Sequence, residues 1–234
     1  MSSATLTGVA LLQNARKADC SSTIVDARFR LSLFPTALGG PRELIAALSL
    51  AHADDKSPEL EGVYVVRAEV RTANIPTDLS FLPTPDVNYH LVGELTQVMP
   101  FHRCGFMTHD DARLRLFTRG APSNVDTDDL AFSLLPYHHS AVPLPPIHAF
   151  TPRSGRPRQA ASLRPLLKDA CFVDVEGFIA AIYEDENFGN LTRIDLELVR
   201  TTRSSGLPCT EGRACCTPLR PAESVMAGRK RKLA

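Results

Sequence analysis

The sequence predicts a mainly β protein, on three observations. From Val63 to Ala73, Val66, Ala68 and Val70 alternate with Arg67, Glu69 and Arg71, the period of two that a strand shows when one face is buried and the other wet. Two stretches also share a pattern: Leu91, Gly93, Leu95 and Val98, followed by Arg113 to Phe117, match Val175, Gly177, Ile179 and Ile182, followed by Arg193 to Leu198. Each reads as a bent strand, a turn and a returning strand with apolar residues at every second position. Finally, 18 prolines gather mainly at 76–85, 136–157 and 208–221, where they bar helix and central strand alike and mark loops, edges or disordered segments.

Taken in order, residues 1–58 are the least legible. Thr23 to Phe34 alternates as a strand does, and Pro41 ahead of Arg42 to His52 suits the first turn of a short helix. The strand from Val63 to Ala73 follows, then a proline-rich loop at 76–85. The first patterned unit covers Val87 to Met99 and Arg113 to Arg119, with a turn near His109-Asp110-Asp111. Between 120 and 162 the prolines predict an irregular insertion, because such a composition buries too little apolar surface to offset chain entropy. A helical turn is expected from Leu163 to Asp169, and the second unit spans Cys171 to Tyr183 and Leu191 to Thr201. The domain plan is therefore a poorly defined segment at 1–58, a β domain at 59–201 with an insertion at about 120–162, and a disordered basic tail at 202–234. The two units are either two hairpins of one barrel or two incomplete copies of a module. With one clear strand ahead of the first unit, one barrel is favoured.

Length and composition allow this: 234 residues, 44% of them apolar, suffice for one β-rich domain with irregular flanks. Net charge is zero, which excludes a globally basic nucleic-acid protein, yet charge is unevenly spread. Glu59 to Phe150 holds 6 basic and 11 acidic residues, Thr151 to Lys168 holds 5 and none, Asp169 to Val199 holds 1 and 8, and Arg200 to Ala234 holds 8 and 2. Acidic patterned segments alternate with basic irregular ones. Six cysteines without a framework spacing suit reduced thiols in an intracellular protein. The apolar run Leu6 to Leu12 has no basic residue before it, so no secretory signal is expected, and no run is long enough to span a membrane.

A long first strand, two strands, an intervening segment with some helix and a closing hairpin is the order of a five-stranded Greek-key barrel, and with Gly93 and Gly177 placed to let strands bend, the chain resembles the OB-fold family. It is similar, more loosely, to a group of uncharacterised fungal proteins in which a strand like Gly62-Val63-Tyr64-Val65-Val66 leads into Tyr89-His90-Leu91-Val92-Gly93. The OB-fold resemblance covers about residues 60–200 and implies binding of single-stranded nucleic acid or of a protein partner. Nucleic acid needs basic groups for phosphates and aromatic faces for bases. Arg113, Arg115 and Phe117 fall on one side of a strand, and Arg67 and Arg71 could extend the patch. The second unit offers Asp195 and Glu197 at its corresponding face, which suits a solvated sheet better. Two basic runs add charge: Arg153, Arg156 and Arg158 in the insertion, and Arg229-Lys230-Arg231-Lys232 near the end, the latter suited to nuclear import or simply to solubility.

Catalytic motifs are missing: nothing matches G-x-S-x-G, H-E-x-x-H, a P-loop or G-x-G-x-x-G. Cys209, Cys215 and Cys216 lack the spacing of a zinc knuckle, and His102, Cys104 and His109 are equally loose. The sequence therefore points to a noncatalytic, nuclear or otherwise cytoplasmic, OB-like binding module with no cofactor and no metal. A protein-interaction module with a basic targeting tail, or a diverged chain retaining an incomplete barrel, are the alternatives.

Overall fold

The computed structural model describes residues 4–18, 21–31, 43–51, 60–73, 84, 87–104, 112–126, 129–136, 144–152, 163–167, 172–184 and 191–204. Ten strands cover most of them: β1 (Ala4–Lys17), β2 (Ser22–Arg30), β3 (Glu43–Ala51), β4 (Gly62–Thr72), β5 (Leu91–Pro100), β6 (Arg115–Asp126), β7 (Ala131–Pro136), β8 (Ile147–Phe150), β9 (Val173–Glu184) and β10 (Leu191–Arg203). The mainly β, OB-like class expected from the sequence is what the structure shows. Among the described residues no helix is long and apolar enough to cross a membrane.

The strands close into two rings. In ring 1 the order is β1-β2-β3-β5-β4, and β4 returns to β1; in ring 2 it is β6-β7-β8-β10-β9, and β9 returns to β6. In each, the third and fifth strands run parallel (β3 with β5, β8 with β10) while the other pairs run antiparallel. This 1-2-3-5-4-1 order is the Greek-key barrel of the OB-fold. Alternation fills the interiors: Leu6, Phe29, Leu48 and Leu91 in ring 1, and Leu116, Phe132, Ile147 and Ile182 in ring 2, are all fully buried.

The rings meet along their first strands. Thr5, Leu6 and Thr7 pair antiparallel with Phe117, Leu116 and Arg115, so β5-β4-β1-β6-β9-β10 forms one antiparallel run across both barrels. The two first strands also match in detail. Leu6 stands opposite Leu116, and eight residues on, Asn14 and Asn124 both adopt a left-handed backbone, with φ of 55° and 48°. Both sit where the register with the second strand slips, between Gln13 and Arg16 and between Ser123 and Asp126. Asparagine tolerates that conformation where most side chains do not, so each strand can bulge and turn from the seam toward its own ring. A second tie links the rings: His90 accepts the Ile45 N–H at Nδ1 over 2.8 Å, which leaves its proton on Nε2, facing the Glu184 carboxylate of β9.

Several expectations change. Where one barrel within 59–201 is favoured by the sequence, the pairings close a second, and residues 1–58 contribute three of its strands, so the β structure runs from Ala4 to Arg203. The helix expected at 42–52 is β3, because Leu44, Ala46 and Leu48 alternate inward against β2. The insertion at 120–162 contains the outer half of β6 and all of β7 and β8. Pro122 is tolerated there because β6 leaves β9 at Gly120 and beyond it pairs with β7 alone, so the missing N–H falls on an open edge. The two patterned units are not equivalent: β5 is the fifth strand of ring 1, β9 the fourth of ring 2, and the stretch from Arg113 opens ring 2 rather than returning beside β5. The expected helical turn appears at 163–167, with Leu163 and Leu167 buried. The proposed turn at 109–111 and the tail from 205 lie outside the described residues.

Gly93 and Gly177 share a role although their strands differ. Each lies in the hairpin of fourth and fifth strands where the partner backbone comes close: a Cβ at Gly93 would run into the Glu69 carbonyl, and one at Gly177 would stand 2.6 Å from the Glu197 carbonyl. Gly93→Ala is therefore expected to cost about 1–3 kcal/mol, read as a lower urea midpoint at unchanged slope, while Thr96→Ala on the exposed face stays within about 0.5 kcal/mol.

Candidate nucleic-acid interface

OB-fold barrels present ligands with the outer face of their second and third strands. The registers of the two rings allow that face to be compared position by position. In ring 1, Gln13 opposes Asp26, Asp26 opposes Ala47, and Ala47 opposes Val92. In ring 2 the corresponding row is Ser123, Ser133, His148 and Asp195. The next outward row is Ile24, Ser49 and Glu94 in ring 1 and Ala131, Phe150 and Glu197 in ring 2.

In ring 2 this face is aromatic and only half-buried. Ile147 and Ala149 point into the core, so His148 and Phe150 point out; both are half-buried, and their rings stack with centroids 6.3 Å apart at 26°. Leu135 stands 54% exposed on the neighbouring strand. The carboxylates beside them are already neutralised. Asp195 accepts the Tyr183 hydroxyl at 2.9 Å and lies 3.0 Å from Arg193 Nε, whose guanidinium covers the Tyr183 ring at 4.0 Å. Burial and the Asp195 carboxylate both push the Tyr183 phenol up, so it stays a donor. Glu197 accepts from Arg113 at 2.5 Å. Sequence reading missed His148 and Phe150 because prolines dominate their surroundings, yet the alternation of Ile147-His148-Ala149-Phe150 was there to be read.

The predicted basic face has a different setting. Arg113 and Arg115 lie on one side of the sheet, both over the Phe178 ring, at 4.0 and 5.0 Å from its centroid. Arg113 is held by Glu197, Arg115 lies 3.8 Å from Glu176, and Arg119 grips Asp174 through two hydrogen bonds of 2.6 and 3.2 Å, which raises the Arg119 pKa. Phe117 is 44% exposed and borders a cavity of about 190 Å³ with Asp174, Glu176, Arg200 and Thr202. Arg67 and Arg71 stand on β4 of ring 1; Arg67 lies in line with Arg115 across the seam, both opposite Thr7, while Glu69 lies in line with Phe117, both opposite Thr5. Arg153, Arg156, Arg158 and the run Arg229 to Lys232 lie outside the described residues.

In ring 1 the corresponding face is closed. The chain between β4 and β5 lays Tyr89 and Val87 over Ile24, Ala47, Ala73 and Val92, which form a small second core outside the barrel. At its centre is Asp26, whose side chain is fully buried. Its two oxygens accept from Asn14 (2.8 Å), Arg16 (2.7 Å), Thr84 Oγ1 (2.9 Å) and the Tyr89 hydroxyl (2.7 Å), and Tyr89 in turn accepts the Thr84 N–H at 3.0 Å. Burial alone would raise the Asp26 pKa, but these four hydrogen bonds outweigh it and hold the carboxyl below its ordinary value. Burial and Asp26 raise the Tyr89 phenol, which stays protonated and donating.

Two closed Greek-key rings joined at their first strands, one with the outer face of its second and third strands half-buried and the other with that face covered, define a tandem OB-fold. No protein-family model and no curated protein matches the chain. Among solved structures it is similar to the single-stranded DNA-binding protein from Thermus aquaticus, with a TM-score of 0.43 and 12% identity over 91% of this chain and 97% of that one. A deletion mutant of the same protein gives 0.44 and 13% over 90% and 98%. Similarity at this level adds nothing to the fold assignment, which stands on strand order and register.

A carboxyl with a depressed folded-state pKa contributes stability that is complete above its unfolded value, about pH 4, and is lost as pH falls through the folded value. The unfolding free energy should therefore drop on acidification below about pH 4. Asp26→Asn is expected to cost about 3 kcal/mol at neutral pH and to flatten that drop, so that the two proteins converge in acid. Urea unfolding across pH checks both; an unchanged acid slope in the variant would remove Asp26 as its source.

Proposed function

We propose that this chain is a noncatalytic OB-type binding module that holds single-stranded nucleic acid on the β7–β8 face of ring 2, within a nuclear assembly. The observation that carries this reading is the half-exposed His148–Phe150 pair on the strand face by which OB-folds present their ligands. Aromatic faces accept any base by stacking, at about 1–3 kcal/mol per base. Positive charge at this face is modest: Arg193, 48% exposed at its side chain, is shared with Asp195, and exposed Arg200, opposite Glu176, and Arg203 lie farther along β10. At Arg113 and Arg115 phosphate must likewise compete with Glu197 and Glu176. The basic segments at 153–158 and 229–232 add a sequence-blind attraction, and the second of them supports nuclear import.

A protein-interaction module is the second reading. The outer face of ring 1 favours it, where Leu11 pairs with Val63 and Val65 with Met99, and Leu11, Val63, Met99 and Phe101 are each at least 40% exposed. A complex recovered intact after nuclease treatment would favour this reading over the first.

Anisotropy titration of a labelled thymidine oligonucleotide at low salt separates the contributions. His148→Ala with Phe150→Ala should weaken binding at least about 30-fold, and Arg113→Ala with Arg115→Ala by only a few-fold. No binding by the unaltered chain at micromolar protein sinks the nucleic-acid reading. For localisation, a fluorescent fusion should leave the nucleus when Arg229 to Lys232 are replaced by alanine.

A further inference from the structure

We propose that only one of the two rings binds nucleic acid, the ligand face of ring 1 being occupied by the chain's own Tyr89; this rests on the reading of the ring 2 face given above. Equivalent positions carry opposite side chains. Where ring 2 has His148 and Phe150 on its third strand, ring 1 has Ala47 and Ser49. The small residues leave room above β3, and Tyr89, 3% exposed, fills it against Ile24, Ala47 and Val92. Ring 1 thus supplies from its β4–β5 connection the aromatic ring that ring 2 would take from a base.

The cover is fastened polar group by polar group. Ser133 in ring 2 occupies the place of Asp26 in ring 1. Asp26 alone offers a buried carboxylate, and it draws the Tyr89 and Thr84 hydroxyls onto the face while Arg16 balances its charge. A backbone bond from His90 to Ile45 ties the end of the segment to β3, one from Ala73 to His90 joins its two ends, and one from Val87 to Thr84 turns the chain between them. Asp26, Ala47 and Val92 are accordingly no more than 1% exposed, whereas their counterparts Ser133, His148 and Asp195 remain half-buried.

Native mass spectrometry of the full chain with a thymidine oligonucleotide of about 8 residues, a length suited to one OB-fold, tests this. The expected result is one oligonucleotide per chain, and none for His148→Ala with Phe150→Ala. Tyr89→Ala, which vacates the slot over Ala47, should admit a second. Two oligonucleotides on the unaltered chain, or one retained by the ring 2 double variant, overturns the inference while leaving nucleic-acid binding intact. No oligonucleotide on the unaltered chain removes both. Should Tyr89→Ala fail to fold, hydrogen exchange on the unaltered chain decides: bound oligonucleotide should protect β7 and β8 and leave the amides of Thr84, Val87 and His90 unchanged. Exchange changing at those three amides would overturn the assignment.

Discussion

Every strand in this protein depends on one constraint, that a sheet edge left unpaired must be closed, and the first strand of each ring meets it twice. The early part of β1 lies between β4 and β6, and its later part pairs with β2. β6 does the same, first between β1 and β9 and then with β7. One strand thus supplies both the closure of its own barrel and the junction with the other, which is possible only if it bends midway. Asn14 and Asn124 permit this, each at a bulge with a left-handed backbone. Leu6 and Leu116, paired across the junction and both fully buried, extend the cores of the two rings toward each other, so the hydrophobic cluster is continuous through the junction.

The same architecture leaves the outer faces of the second and third strands free to diverge, because residues pointing out of a barrel do not determine whether it closes. Ring 1 uses that freedom to bury a carboxylate. A charge without water is costly unless its lone pairs are satisfied, and four donors from two separated chain segments converge on Asp26 to satisfy them. The network ties the bulge at Asn14, the second strand and the β4–β5 connection into one unit. Ring 2 has no counterpart, since Ser133 stands where Asp26 would be, and its outward row keeps an aromatic and a paired carboxylate instead.

Much of the barrel was legible in the sequence, in proportion to how strictly local alternation is enforced. Val66, Ala68 and Val70 announced β4 because one face of that strand is buried and the other wet. Gly93 and Gly177 were rightly singled out, since each marks a backbone approach that a Cβ would block. What misled was the likeness of their surroundings. A hairpin of fourth and fifth strands needs a glycine on one of its two members, and the rings place it on different ones, so matching glycines aligned a fifth strand with a fourth. The true repeat was fainter, in Leu6 with Asn14 against Leu116 with Asn124. β7 and β8 were hidden because prolines crowd their ends, Pro136 closing β7 and Pro145 and Pro146 preceding β8, without entering either strand's interior. The open face was lost along with them, and the cover over ring 1 rests on Asp26, Thr84 and Tyr89, whose meeting only the fold brings about.

Charge pairing decides what kind of surface ring 2 offers. Alternation placed Arg113, Arg115 and Phe117 together as a basic and aromatic stripe, but closure of the barrel brings β9 and β10 beside it, and Glu197, Glu176 and Asp174 come within reach of Arg113, Arg115 and, farther along β6, Arg119. A stripe that attracts phosphate in isolation thereby becomes a set of ion pairs with little net field, and Phe178 is sealed beneath two of its guanidiniums instead of stacking on a base. On the other side of β10 the balance differs: His148 and Phe150 offer stacked ring faces, whose capacity to stack does not depend on an unpaired charge. Ring closure thus pairs off the arginine face and leaves the aromatic rings of the β7–β8 face unpaired with charge.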